Sequence, residues 1–544
     1  MKRLVALVIA ASVIAGCSKA GNDTTSATGE HSWTKPGILR IAIQSEPKNL
    51  NMLLASNTTD NMIDRLIFDP LITADAKGNP VPVLVTEVPT LENGGISKDG
   101  LTVTYHMVKG VKWSDGQPLT SKDVKFSWQG MMNPNNNVVS RHGFDEVKSI
   151  DTPDDATVIV HLKERFAPFV SAFFGESDSP EAIVPAHLLA QYPDVNKLPY
   201  NNEPIGSGPY KLSEWVKGDH ITLVPNASYF RGVPALKQIV IRIIPDENTT
   251  LNELQTHDID WMFEPSFATY PALKAMAPDV IVHYNDVNGY EGIQLNTSAD
   301  KPLADKQIRL AIGYAIDKKR LLDTLTFGQQ KLATEDLPDW MWAYNPKVTT
   351  YPFDLAKAKQ ILAADGWTPG PDGIAAKNGN KLQLVLVSNN SNATRKKGCV
   401  LVQQMLHLAG IDVQIKYFDG ATLFAPAPLG ILQTGKFDLG WSGWFAGIDP
   451  DDSSNYMSKN VPPGGYNYTR YQNPVMDAAQ HAALSAYDRP TRTKAYATVE
   501  ELLAQDVPQI FFWWDRQAQA VSPDFKGFDP NPVTESWNAY TWSI

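Results

Sequence analysis

Leu382-Gln383-Leu384-Val385-Leu386-Val387 is a largely apolar run of strand length, and the two segments after it decide the fold. Thr394 to Ala409 reads as a helix, and Ile411, Val413, Ile415 and Tyr417 then alternate with polar residues as a second strand. A strand, a helix and a strand in this order require parallel strands joined by a crossover. The chain is therefore expected to be α/β.

Upstream, Ile308, Ala311, Ile312, Ala315 and Ile316 recur at helical spacing behind a capping Asp305. Asp354 caps a second helix whose face carries Leu355, Ala358, Leu362 and Ala363, and Gly366 suits its left-handed stop. The N-terminal half reads as strand-rich with short helices. Leu39, Ile41 and Ile43 share one face of a first strand, which the turn Gln44-Ser45-Glu46-Pro47 ends. Further strands are expected at Leu101 to Met107, Thr157 to Leu162 and Ile239 to Ile244. Ile510 to Trp514 reads as a late strand, and the tail after it, with Trp537 and Trp542, is aromatic enough to pack back on a core. The 544 residues exceed the roughly 250 to 300 that one core holds, so two α/β lobes are expected, one of them subdivided.

The formal charge of −11 and the lack of any Lys/Arg-rich block argue against nucleic-acid binding. Lys2 and Arg3 precede an apolar run, Leu4 to Gly16, too short to cross a bilayer and right for a signal peptide, so residues 1–16 are set aside. The run ends Ile14-Ala15-Gly16-Cys17, which resembles the lipobox of bacterial lipoproteins; lipid on Cys17 would hold the mature chain at a membrane, and an ordinary cleaved signal is the alternative. Ser18 to Ser32 has the composition of a flexible tether. The only other cysteine, Cys399, reads as a small buried hydrophobe, so neither a disulfide framework nor a thiolate metal site is available.

Catalytic signatures fail to appear. Gly440-Trp441-Ser442-Gly443-Trp444 lacks the last glycine of a nucleophile elbow, and phosphate-loop, dinucleotide and zinc-hydrolase motifs are absent. Asp449, Asp451 and Asp452 form an acidic knot without the glycine and terminal glutamate of a calcium loop; it reads as a solvated loop, with a secreted hydrolase as a remote alternative. No metal and no cofactor are expected.

Lys112-Trp113-Ser114-Asp115-Gly116-Gln117-Pro118-Leu119-Thr120-Ser121-Lys122-Asp123-Val124-Lys125-Phe126 resembles the segment that marks the family 5 extracytoplasmic solute-binding proteins, the peptide- and nickel-type receptors of ABC importers. Gly206 to Tyr210, Leu295 to Ser298 running into Arg309 to Asp317, Trp342 to Pro346 and Asp354 to Trp367 are similar to further family blocks in the same order. The resemblance spans residues 38–540. It implies a periplasmic-binding-protein, Venus-flytrap fold with two lobes and an inserted subdomain, no enzymatic activity, and delivery of a captured solute to membrane permease subunits. The implied division gives a tether over 17–37, lobe I from 38–65, 200–286 and 513–544, the inserted subdomain from 66–199, and lobe II from 287–512. A monomer is expected, with a hinge at 287–295 and 510–516.

The resemblance and the aromatic, polar contexts together suggest the ligand contacts. Ser45, Glu46 and Asn49 would contribute from the first lobe, and Trp340, Trp342, Tyr344, Trp441, Trp444 and Tyr466 from the second. Peptide-binding members similar to this chain carry an aspartate a few residues after a Gly-Trp pair, where it meets the peptide's α-amino group. Counted from Gly440-Trp441 that position is Trp444, so Asp449 or Asp451 would have to restore the carboxylate. A peptide and an oligosaccharide-like ligand stacked on tryptophans both remain open, while nickel or haem lacks a histidine cluster.

Overall fold

In the computed structural model, which describes residues 31–177, 182–426 and 428–544, the parallel unit forms where its pattern places it. Strands Gln383–Asn389 and Asp412–Phe418 pair in parallel, with Leu384 opposite Val413 and Leu386 opposite Ile415, and helix Ala393–Leu408 crosses between them. Asp305 accepts from the Gln307 amide at 2.8 Å to start helix Lys306–Ala315, and Asp354 accepts from Lys357 at 2.8 Å to start Leu355–Ala364. Gly366 adopts φ +90° behind the second of these helices.

One eleven-stranded sheet runs through both lobes. Its lobe II end is Asp412–Phe418, Gln383–Asn389 and Leu439–Phe445, and its lobe I end contains Ile38–Ile43, flanked in parallel by Gln238–Ile243 and Trp261–Met262. Two long antiparallel strands, Ile281–Leu295 and Gln509–Val521, join the ends. Their register slips between the pair Asp286 and Arg516 and the pair Tyr290 and Trp514, so the ladder is interrupted where the chain crosses from lobe to lobe. Lobe II has its own apolar core, which includes Cys399, Trp441 and Trp513. Lobe I shares a continuous core with the inserted subdomain, in which Trp113 and Trp542 are both fully buried. The aromatic tail therefore packs back: the Trp542 ring lies edge-on to Trp261 at 5.7 Å.

The marker segment is a structural device. Trp113 donates its amide to Gln117 across a turn that contains Gly116, and Asp123 accepts from the Thr120 amide to cap helix Ser121–Met132. That helix lies on the antiparallel sheet of Thr102–His106, Thr157–Leu162 and Val147–Asp154. Gly206 and Gly208 pass so close to the end of helix Thr58–Ile67 that a Cβ on Gly206 would lie 2.0 Å from the Ile67 carbonyl oxygen.

One boundary changes. The sequence predicts a tether up to residue 37, but His31 and Thr34 bond to Asp524, and the Trp33 ring is sandwiched between His31 and His257 at 4.3 and 3.9 Å. Residues 31–37 are thus part of lobe I. The signal peptide, Cys17 and the tether up to residue 30 lie outside the described residues. Among the described residues, no helix is long and apolar enough to cross a membrane.

Candidate ligand cleft

In open α/β sheets, ligands settle outside the carboxyl ends of the parallel strands, where the next helices begin. Here strand Ile38–Ile43 leads to helix Thr58–Ile67, capped by Asn57, and strand Gln383–Asn389 leads to helix Ala393–Leu408, capped by Asn392. The starts of both helices line a single cavity of about 370 Å³, in the size range of small-molecule sites. Lobe I contributes Thr58, Glu264, Phe267 and Tyr270; lobe II contributes Arg395 and Phe445; the crossing strand contributes Trp513, Asp515 and Gln517. Phe445 is 46% exposed at the cleft.

The charges of this cleft are unequally satisfied. Arg395 is clamped by Glu291 through Nε and Nη2, at 3.0 and 2.5 Å, and Glu291 also accepts from the Trp441 indole at 2.8 Å. Arg516 donates to Asp286 at 2.8 Å. Glu264 accepts only from neutral donors, the Thr58 hydroxyl and the Gln517 amide, both at 2.9 Å, and burial pushes its carboxyl up to about 7. Asp515 accepts from the Trp513 indole at 3.1 Å through Oδ1, and its Oδ2 is buried with no hydrogen-bond partner. Burial and the nearby Glu291 carboxylate push Asp515 up to about 8 against the pull of Arg395.

A second chamber of about 670 Å³ lies between the inserted subdomain and lobe II, lined among others by Arg141, Arg165 and Phe166 on one side and Phe424, Lys459 and Tyr466 on the other. Beside it the lobes touch directly. The Ile448 amide donates to the Glu176 carbonyl at 3.1 Å, His142 meets Asp451 at 2.9 Å, and Tyr487 donates to the Gly100 carbonyl at 2.9 Å. Gly447 is required at this contact, because a Cβ there would stand 2.0 Å from the Glu176 carbonyl oxygen. The geometry is that of closed lobes.

The sequence-derived contacts are distributed differently from expectation. Glu46 accepts from the Trp215 indole and the Gly218 amide, Asn49 accepts from the Asn51 amide, and Ser45 is exposed; none of the three lines either cavity. Lobe I reaches the cleft through Thr58 and Glu264 instead. Trp441 is buried in the lobe II core against Phe512, and Trp342 lies beneath Arg489 and Arg492. Tyr344 packs edge-on to Trp514 at 5.5 Å. Trp340 sits at the lobe boundary, its ring against Gly78 and its indole directed at the Val287 carbonyl. Of the aromatic set, Tyr466 lines the larger chamber, and Trp444, 5.3 Å from it, walls a small adjoining cavity with Asp449 and Asp451.

Neither of those aspartates is available to a guest amine. Asp449 forms a two-pronged pair with Arg492 at 2.6 and 2.8 Å. Asp451 is committed to His142, which holds its carboxyl below the usual range although burial opposes this. The acidic knot is a lobe II clasp, and no group of three or more His, Cys, Asp or Glu among the described residues is arranged to hold a metal. Counted from the cavity-facing pair Gly443-Trp444, the position of the family aspartate falls on Gly447, where no side chain fits. Thr58, Glu264, Arg395, Phe445 and Asp515 do not stand out in the sequence. For Arg395 and Phe445 a signal exists: one comes after the cap of the crossover helix, the other ends a strand beside a cavity-facing tryptophan.

Two lobes on a shared sheet, joined by paired crossing strands and enclosing a cleft, define a receptor that holds a solute between lobes. The chain belongs to the bacterial extracellular solute-binding proteins, family 5, whose middle-region model matches residues 79–466. It is 27% identical over 553 residues to the oligopeptide-binding protein AppA of Bacillus subtilis (strain 168), covering 99% of this chain and 97% of that one. It is 27% identical over 507 residues to the glutathione-binding protein GsiB of Pectobacterium atrosepticum, covering 91% and 92%. The solved structure of B. subtilis AppA in complex with a nonapeptide superposes with a TM-score of 0.77 at 26% identity, over 93% of this chain and 99% of that one.

Proposed function

We propose that this chain captures peptides between its lobes and hands them, chemically unchanged, to the permease subunits of an ABC importer. The observation that carries the reading is the cavity at the carboxyl ends of the two parallel strand sets, walled by both lobes and by the crossing strands. A guest touching both walls stabilises closure by its differential affinity for the closed state, which supplies the signal a permease reads. Relatives named for oligopeptide and glutathione binding support a peptide guest. An oligosaccharide-like guest has less support: Trp342 and Trp441 pack into protein, which leaves Trp444 and Tyr466 as the aromatic residues of that set beside a cavity.

The division into lobe I, inserted subdomain and lobe II, amended at residues 31–37, fits this role, with 286–290 and 514–516 as the hinge. Lipid on Cys17 would keep the monomer at the membrane, on the extracytoplasmic side. Native mass spectrometry of the purified chain tests the reading. Co-purified guests differing by amino-acid residue masses are expected; a hexose ladder, or release of cleaved fragments of an added peptide, would refute it.

A further inference from the structure

We infer that Glu264 and Asp515 form the pole of the cleft that receives the protonated amino group of a guest; this deepens the peptide reading and rests on it. Trp513, Asp515 and Gln517 alternate onto one side of strand Gln509–Val521, and all three line the cavity. Gln517 donates to Glu264 from that strand, so the two carboxylates are held to one wall by one element.

Cations and carboxyls are unequally matched here: burial keeps Glu264 and Asp515 partly or largely protonated, and an arriving ammonium would draw both into the charged form. The guanidinium groups lining the cleft are spoken for, Arg395 by Glu291 and Arg516 by Asp286. Glu264 and Asp515 receive only hydroxyl, amide and indole donors, and Asp515 Oδ2 receives none from the protein. A buried acceptor without a donor is unfavourable, and an ammonium carries three donors and the compensating charge. Backbone strain marks the same place. Glu264 has φ +44°, a left-handed conformation that a glutamate adopts only when its surroundings impose it, and Pro265 comes directly after it. The sites an amine would otherwise use are closed, because Asp449 and Asp451 are paired and Gly447 has no side chain.

The test presents the full-length chain, and its Glu264→Gln and Asp515→Asn variants, with a random tripeptide library of which half is N-acetylated, and reads bound masses by native mass spectrometry. Both substitutions keep shape and remove the capacity to carry negative charge, and melting curves check that each variant is folded. Wild type is expected to enrich free-amine over acetylated peptides at least about tenfold, the range of a charge-assisted hydrogen bond, and each variant to lose most of that preference. Wild type binding no peptide would defeat the peptide reading itself. Wild type binding peptides without amine preference, or both variants keeping it, would overturn this assignment alone.

Discussion

Arg492→Ala is expected to destabilise lobe II by about 3–5 kcal/mol, the cost of breaking a buried ion pair by removing one partner. Arg492 and Asp449 are 8% and 16% exposed at their side chains, so the orphaned carboxylate would have little water to turn to. The guanidinium also donates to the Ala483 carbonyl and the Tyr496 hydroxyl and lies over the Trp342 ring, so truncation opens packing as well as charge. For a lobe of this size the expected fall in melting temperature is roughly 6–20 °C. Calorimetry would show it, and a shift under about 2 °C would mean that the Asp449 loop is held by something else. Because the same loop carries Asp451 to His142 of the inserted subdomain, the variant should also close less completely.

Stability should peak on the acid side of neutrality. Burial raises the carboxyls of Asp69 and Glu264 to about 7, and it raises Glu335, Asp336, Asp452 and Glu500, which crowd together in lobe II, in the same direction. Each of these groups titrates near 4 when unfolded, so from about pH 4 to 7 the folded chain holds the extra protons and stability falls as pH rises. Each group contributes up to about 1.4 kcal/mol per pH unit within its window. Carboxyls held low, such as Asp451, Asp506 and Asp524, act oppositely and limit stability only as pH drops below about 4. The melting temperature at pH 5.5 is expected to exceed that at pH 8 by at least about 5 °C; equal values, or the reverse order, would show that the buried acids are ionised at little cost.

The fold was legible where local chemistry and periodicity agree. Asp305, Asp354 and Gly366 act as the caps and stop that their positions predict, and the Leu382 to Tyr417 run forms its parallel unit, because each depends on residues within a few positions. The site was less legible. Trp441 and Trp444 read alike as aromatic residues in a polar, glycine-rich run, yet three positions along a strand put them on opposite faces, one in the core and one beside the cavity. Parity could have separated them. Glu264 and Asp515 offer no such cue: they are 251 positions apart and line one cavity only because the crossing strand pairs beside the Trp261–Met262 strand. Likewise nothing near Asp449 in the sequence announces that Arg492 will occupy it.

The central claim is that the lobes close upon a guest. Spin labels at Val139 on the inserted subdomain and Leu429 on lobe II, which are 51% and 76% exposed, give a distance between the two sides of the interlobe opening. Adding a saturating peptide mixture is predicted to move the distance distribution from a long population to a single short one. Identical distributions with and without a bound peptide would contradict the account.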